Sequence, residues 1–327
     1  MTRILVVGGA GYVGSHCVKA AAAAGHACVV YDSLLFGHRD FVRWGLLIQG
    51  DVRDRSALVA AMREHRIEAV MHFAALAYVG QSMTEPALYY DVNVNGTRTL
   101  LDAMVEVGIR PLVFSSTCAV YGEPDTVPIT ESTTPHPINP YGFTKLVCER
   151  MIEDYGRAYG ICGAKLRYFN AAGADPDSEI GEDHDPETHL IPLVLDAAMG
   201  RRPSISVFGS DYPTADGTAV RDYIHVADLA AAHVKALGLL LEGKPGFTVN
   251  LGTGSGISVA ELIAAARQVS GRDIPTIMAP RREGDPAVLV ADPSAAQRLL
   301  GWRAERLTAD AILGDAWRWH QKRFAGR

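Results

Sequence analysis

Short apolar runs alternate with longer stretches of helical period, and the alternation begins at the first residues. Arg3 to Val7 is a continuous apolar run of strand length, Gly8 to Gly14 reads GGAGYVG, and His16 to Ala24 is Ala-rich and helical. A second apolar run, Ala27 to Tyr31, closes on Asp32. The same rhythm predicts a strand at Leu46 to Gln49, a helix at Ser56 to His65, a strand at Ala69 to Phe73, a helix at Pro86 to Val107 and a strand at Pro111 to Ser115. Strands alternating with helices imply a parallel, doubly wound α/β sheet. Ligands in such sheets bind beyond the carboxyl ends of the strands. The candidates at those ends are Asp51 and Val52, then Phe73, Ala74 and Ala75, then Ser115, Ser116 and Thr117.

The glycines at 8, 11 and 14 follow a strand and open a helix. They permit a sharp turn, close approach of the backbone to a pyrophosphate, and tight helix packing, with the phosphate at the helix N-terminus. Asp32, at the end of the second strand, is placed to accept the ribose hydroxyls of NAD and would repel the extra phosphate of NADP. The expected fold is therefore a Rossmann sheet that binds NAD.

Tyr121 to Pro140 shows no periodicity and reads as a loop, followed by a helix at Tyr141 to Tyr159 and a strand at Ala164 to Phe169. There the simple alternation stops. From 170 to 218 the chain is loop-rich, with a helix at Ile191 to Met199 and a strand at Ile205 to Phe208. A helix at Val226 to Leu241, a strand at Phe247 to Leu251 and a helix at Val259 to Ser270 follow. The expected organisation is an NAD-binding domain over 1–169, to which 222–250 returns, and a smaller α/β substrate lobe over 170–327. A length of 327 residues suits two joined lobes of about 150 residues each.

The stretch NPYGFTKLVCE places Tyr141 and Lys145 one helical turn apart, on one helix face. A phenol is a poor base at neutral pH, its unperturbed pKa being about 10, but a neighbouring ammonium and a cationic cofactor ring both favour the phenolate. Tyr141 is then a candidate base toward a sugar hydroxyl.

The net charge of −6 argues against a general nucleic-acid or membrane-surface role, which usually needs a basic patch. The N-terminal apolar run is cut by Gly8 and Gly9 before a signal-peptide core forms, and no stretch approaches the roughly 20 apolar residues of a membrane span. Five scattered cysteines without CxxC spacing read as reduced thiols in a cytoplasmic protein. His184 and His189 lie beside Glu182, Asp183 and Asp185, but in a polar loop with no helix to register ligands, so no metal is expected. His225 reads as a satisfied, partly buried histidine, and Trp317 to Arg323 as an amphipathic last helix.

Taken together, the glycine turn, Asp32, Thr117, Tyr141 and Lys145 resemble the extended short-chain dehydrogenase/reductase family. The likeness covers nearly the whole chain, through FSSTCAVYG at 114–122, NPYGFTK at 139–145, LRYFNAAGAD at 166–175, VFGSDYPTADGTAVRDYIHV at 207–226 and RREGDPA at 281–287. It is strongest to members that invert carbon 4 of a UDP-hexose. The resemblance implies interconversion of UDP-glucose and UDP-galactose through a transient 4-keto sugar, with NAD retained from cycle to cycle. It gives Tyr141 the 4-hydroxyl proton, Lys145 the cofactor ribose and the task of depressing the tyrosine pKa, and Thr117 a hydrogen bond to the same hydroxyl. Cofactor contacts fall to Gly8, Gly11, Tyr12, Val13, Gly14, Asp32, Asp51 and Val52. Phe73, Ala74, Ala75, Asn93, Ser115, Tyr141, Lys145 and Tyr168 complete that set. Besides Thr117 and Tyr141, the nucleotide-sugar pocket falls to Asn170, His189, Leu190, Phe208, Arg221, Arg282, Asp285 and Leu289. Leu289, four residues after Asp285, corresponds to a position that walls the pocket beside the sugar's 2-substituent. A leucine there implies UDP-galactose as the better substrate and weak activity on its N-acetylated counterpart.

Two positions depart from the family pattern: His189 stands where many members have Asn, and Ala77 where Lys is common. A homodimer through the two long helices, Pro86 to Val107 and Tyr141 to Tyr159, is also implied. A 4,6-dehydratase on the same scaffold would place acidic residues after the threonine, where this chain has Cys118 and Ala119. A 4-epimerase for another UDP-sugar stays open, and a non-catalytic NAD-binding protein has no use for Tyr141, Lys145 and Thr117 together.

Overall fold

Alternate residues of the first strand, Arg3–Val7 (β1), serve two different cores. Ile4 and Val6 pack with Val18, Ala21, Leu229 and Leu237, while Leu5 and Val7 pack with Leu58, Met62, Leu100 and Met104. A strand that is apolar on both faces needs helices on both sides, which is why the run is continuous rather than alternating. Deleting one of these fully buried leucine side chains, as in Leu100→Ala, should cost about 2–5 kcal/mol. The computed structural model describes residues 1–282 and 285–326.

Five further strands follow in chain order: Ala27–Asp32 (β2), Gly45–Gln49 (β3), Ala69–His72 (β4), Pro111–Thr117 (β5) and Cys162–Tyr168 (β6). With Phe247–Leu251 they form a seven-stranded sheet in the order Phe247–Leu251, β6, β5, β4, β1, β2, β3. Every neighbouring pair is parallel. The strand order reverses between β1 and β4, the place where an open α/β sheet leaves a crevice at its carboxyl edge. Phe247–Leu251 pairs with β6, so the chain returns to the first sheet after its excursion through the loop-rich segment.

Two helices position the residues of interest. Pro140–Tyr159 starts where Asn139 Oδ1 accepts the Gly142 N–H at 2.8 Å and Pro140 occupies the first turn, and it ends at Gly160 in the left-handed region. An N-cap side chain and an N1 proline make this start legible in the text NPYG. The expected helix at Pro86 to Val107 is present but not uniform: Pro86–Tyr89 and Gly96–Val107 are α-helical, and Tyr90–Asn95 between them is a π turn.

Beyond residue 170 the strands are short. Ile205–Phe208 pairs with Thr276–Ala279, and Val220–Arg221 lies between Ile257–Ser258 and Val288–Leu289. Helices Leu190–Ala198, Val259–Ser270 and Ala309–Phe324 close over a third core that includes Val194, Leu195, Leu262 and Leu313. Trp317 and Trp319 are buried on the last of these helices. His225 is fully buried, with Nδ1 accepting the Ala227 N–H at 3.1 Å and Nε2 3.1 Å from Asp315. No helix among the described residues is long and apolar enough to cross a membrane.

Candidate active site

A cavity of about 450 Å³ runs along the carboxyl edge of the sheet. Gly8, Gly11, Tyr12, Val13, Gly14, Asp32, Asp51 and Val52 are among the residues that line it, as are Phe73, Ala74, Ala75, Thr117, Tyr141, Tyr168, Asn170 and His189. All of these were expected from sequence. Their convergence follows from parallelism, since residues just after β1, β2, β3, β4, β5 and β6 must share one edge.

The glycine turn is shaped by contact as well as by turn geometry. A Cβ at Gly8, where φ is +83°, would lie 2.3 Å from Ala74 N, and one at Gly14 would lie 2.1 Å from Gly8 O. At Gly11 a Cβ would meet only Gly8 O, at 3.5 Å, so its side faces open cavity. Gly11 is the N-cap of Tyr12–Ala23 and offers no side-chain cap. The first-turn N–H groups of that helix therefore face the cavity without an intrahelical acceptor, a cradle suited to a diphosphate. Asp32 is buried, with Oδ2 accepting from Ala10 N at 2.9 Å and Oδ1 from Leu34 N at 2.8 Å. Burial pushes its pKa up, and the two backbone donors pull it back. Asp51 is held by Arg53 through its side chain and backbone, which lowers its pKa, and Arg53 also reaches Asp91.

At the other end of the cavity Tyr141 sits beside Thr117, whose hydrogen bond favours the phenolate. Burial is the larger influence and, with Tyr168 adding to it, pushes the Tyr141 pKa up. The sequence expectation of a phenol held low by its lysine thus meets the opposite balance in the protein alone. Lys145 is fully buried behind Tyr141, donates to the Ser115 carbonyl at 2.8 Å and lies 5.0 Å from the centre of the Phe114 ring. Loss of water lowers its pKa to about 8. Ser115 Oγ and Tyr168 OH are 2.6 Å apart.

Three expected cofactor contacts stand behind the cavity wall. Lys145 and Ser115 form the pair just described. Asn93, in the π turn, accepts from Leu76 N at 2.8 Å and donates to Leu76 O at 3.1 Å and Thr144 Oγ1 at 3.0 Å. It ties the segment after β4 to the helix that carries Tyr141, which is a positioning contact.

Six of the expected sugar-pocket residues lie outside the cavity lining. Leu190 begins its helix and packs on the third core. Arg221 forms an ion pair with Asp285, and the Arg282 guanidinium lies 4.0 Å from the centre of the Phe208 ring. Leu289 is paired with Arg221 in the small sheet and packs with Val120, Tyr121, Phe169 and Cys118. Phe169 and Cys118 themselves line the cavity, so this group adjoins it through one layer of side chains. Glu283 and Gly284 of the RREGD motif lie outside the described residues.

The cavity also takes in Tyr78, which the sequence does not single out, and Glu182 and His184, which it reads only as part of a polar loop. Glu182, His184, Glu187 and His189 converge in a loop that carries no period. His189 Nδ1 lies 2.9 Å from Glu182 and 2.8 Å from Glu187, and His184 Nδ1 lies 3.4 and 3.6 Å from the same two carboxylates. Burial opposes charge on both imidazoles, but the carboxylates prevail and raise His184 to about 9 and His189 to about 10.

Comparison with known proteins agrees with this geometry. The model of the NAD dependent epimerase/dehydratase family matches residues 4–252. A UDP-glucose 4-epimerase of Rhizobium meliloti (strain 1021) is 54% identical over 324 residues, covering 99% of this chain and 98% of the relative. Among solved structures, the UDP-glucose 4-epimerase from Brucella ovis in complex with NAD is 49% identical with a TM-score of 0.96, covering 98% of this chain and 99% of its own. The enzyme from Stenotrophomonas maltophila, with bound NAD and formylated UDP-arabinopyranose, is 43% identical with a TM-score of 0.95, covering 99% of both chains. The chain belongs to the NAD dependent epimerase/dehydratase family.

Proposed function

We propose that the chain interconverts UDP-glucose and UDP-galactose by inversion at carbon 4, with NAD as a retained cofactor. The observation that carries this reading is Tyr141 beside Thr117 at one end of a cavity whose other end is an open glycine cradle backed by Asp32. Near-full-length relatives named UDP-glucose 4-epimerase support the same reaction. NAD held in this cradle would supply a reversible hydride acceptor for carbon 4 of the sugar. Tyr141 takes the proton of the 4-hydroxyl, and Thr117 orients that hydroxyl. Because burial holds the phenol protonated, proton transfer needs positive charge close by. Lys145, fixed by Ser115 and still charged below pH about 8, is the chain's own source of it. Tyr12, Val13 and their turn hold the diphosphate of the dinucleotide, and Asp32 the adenosine ribose.

The nucleotide-sugar side falls to Asn170 and His189 at the cavity wall, and to Leu190, Phe208, Arg221, Arg282, Asp285 and Leu289 outside its lining. Arginines suit a diphosphate because their fork pairs with its oxygens. A homodimer through the outer faces of Pro86–Val107 and Pro140–Tyr159 is supported by the exposure of Leu88, Tyr90 and Phe143, with the Tyr90 and Phe143 rings 6.4 Å apart. Five unpaired thiols fit a reducing, cytoplasmic setting.

Turnover of UDP-galactose by purified protein without added NAD tests the reading. Conversion to UDP-glucose, with NAD released on denaturation, is expected. Activity that depends on added cofactor, or NADP as the released nucleotide, would overturn it.

A further inference from the structure

Ser33, Leu35, Phe36 and Gly37 follow Asp32 and line the cavity, yet the proposed chemistry uses none of them. The segment lies tight against the cradle. A Cβ at Gly37 would come within 2.9 Å of both Ala10 Cβ and Asp32 Oδ1, and His38 N donates to Ala10 O at 2.9 Å. The Phe36 ring meets that of Tyr78 edge-on, with centres 5.4 Å apart. Phe36 follows β2 and Tyr78 follows β4, the strands on either side of β1. Their contact therefore joins the two sides of the crevice where the strand order reverses. Leu34 holds φ at +61°, a left-handed conformation that a leucine keeps only when its surroundings impose it.

The helix Ala309–Phe324 supplies that hold. Arg323 donates through Nη1 to Asp40 at 2.5 Å and through Nε to Asp183 at 2.7 Å. Its Nη2 lies 3.4 Å from His38 Nδ1, which is left as an acceptor because His38 Nε2 donates to the Asp183 carbonyl at 2.6 Å. The same guanidinium lies 5.3 Å from the centre of the Phe41 ring, and Phe41 packs edge-on against Trp319 at 5.6 Å. The Arg323 and Asp183 side chains are only 15% and 13% exposed, so their pair is screened less than one on the open surface. One side chain thus fastens residues 38, 40 and 41 to the loop at Asp183.

A segment closed across the crevice must open before a dinucleotide behind it can leave, so the rate of release follows the free energy of opening. We propose that Arg323 is a positioning residue for the cofactor: its clasp on His38, Asp40 and Asp183 holds residues 33–37 closed and sets how slowly NAD leaves. The inference rests on the reading of NAD as a retained cofactor, and it assigns that retention to a side chain outside the cavity lining.

The experiment is exchange of bound NAD for radiolabelled NAD in the purified holoenzyme, timed by gel filtration. Wild type should exchange slowly and Arg323→Ala about 10- to 100-fold faster, the usual weight of hydrogen bonds to charged groups. Arg323→Lys keeps one ion pair and should fall between them. Arg323→Ala should lose turnover on dilution and regain it in saturating NAD, which a merely structural defect would not allow. Should that variant fail to fold, Asp40→Ala removes a half-exposed arm of the clasp and should speed exchange about 2- to 5-fold. Wild-type exchange rates in the folded variants, or turnover that saturating NAD does not restore, would overturn the proposal, while slow exchange in wild type would leave retention itself intact. Wild type that exchanges its NAD within one turnover would overturn the reading of a retained cofactor, and the clasp with it.

Discussion

Two pairs of ionisable side chains lie at or just behind the cavity wall, and their surroundings treat charge in opposite ways. Around Tyr141 and Lys145 burial dominates: it raises the phenol and lowers the ammonium to about 8, so both groups are pushed toward neutrality. Around His184 and His189 the carboxylates of Glu182 and Glu187 outweigh burial and hold positive charge in place. A pair near neutrality can gain and lose a proton cheaply once a charge arrives beside it, whereas a satisfied cluster resists change. The first wall is therefore suited to proton exchange and the second to holding shape.

The comparison breaks first at Tyr141. Tyr141→Phe should lower turnover by about 10²- to 10⁴-fold, the usual contribution of a general base, while NAD still copurifies. Single-turnover kinetics with analysis of bound nucleotide checks this, and retention of more than about a tenth of wild-type activity would remove Tyr141 from the role.

Next in size is the cost of burying Lys145. Its folded pKa is lowered from 10.5 to about 8, so between those values the unfolded chain keeps a proton that the folded one has released. More protons on the unfolded state means that this group's contribution to stability rises with pH across that window. Lys145→Met removes the penalty and with it the rise. The variant's stability relative to wild type should fall by on the order of 3 kcal/mol from pH 7.5 to pH 10.5. Urea unfolding of both proteins across that range measures it, and a constant difference would show that Lys145 is not desolvated as described.

Smaller effects concern the layer beside the cavity. Leu289→Tyr should abolish activity on the N-acetylated sugar and spare UDP-galactose, and Leu289→Ser should raise it. Misfit of such a group is worth about 1–3 kcal/mol, or 10- to 200-fold in the ratio of specificity constants. A ratio unchanged across wild type and both variants would make Leu289 only a packing residue of the cluster with Val120 and Ile129. Smallest is Thr117→Val, which loses one hydrogen bond and should cost about tenfold in turnover, without a change in bound NAD. A loss as large as that of Tyr141→Phe would mean that Thr117 shares in the proton transfer itself.

The same contrast explains what was legible in the chain. The Tyr141 and Lys145 pair, the glycine turn and Asp32 could be placed because a helix or a strand end fixes their geometry within a few residues. The Glu182 to His189 cluster could not. Its loop is shaped by distant contacts: a Cβ at Gly173 would lie 2.7 Å from the His225 ring, and one at Gly181 would lie 2.1 Å from Trp319. Nothing local announces neighbours that arrive 52 and 138 residues later. Strands of two or three residues, such as Val220–Arg221 and Val288–Leu289, escaped for a related reason, since they are too short to show a period. Asn93 shows the limit from the other side. The resemblance makes it a cofactor contact, but it stands behind the cavity lining, and its partners Leu76 and Thr144 lie on other segments and make it a tie between elements.

The most direct measurement follows the hydrogen at carbon 4. UDP-galactose deuterated at that carbon, incubated in ordinary water with the purified protein and no added NAD, should yield UDP-glucose that keeps the deuterium at carbon 4. Retention of the label is expected where carbon 4 is inverted by reversible hydride transfer to a retained cofactor, with Tyr141 proposed to exchange only the hydroxyl proton. Product that has lost the label to solvent would contradict it.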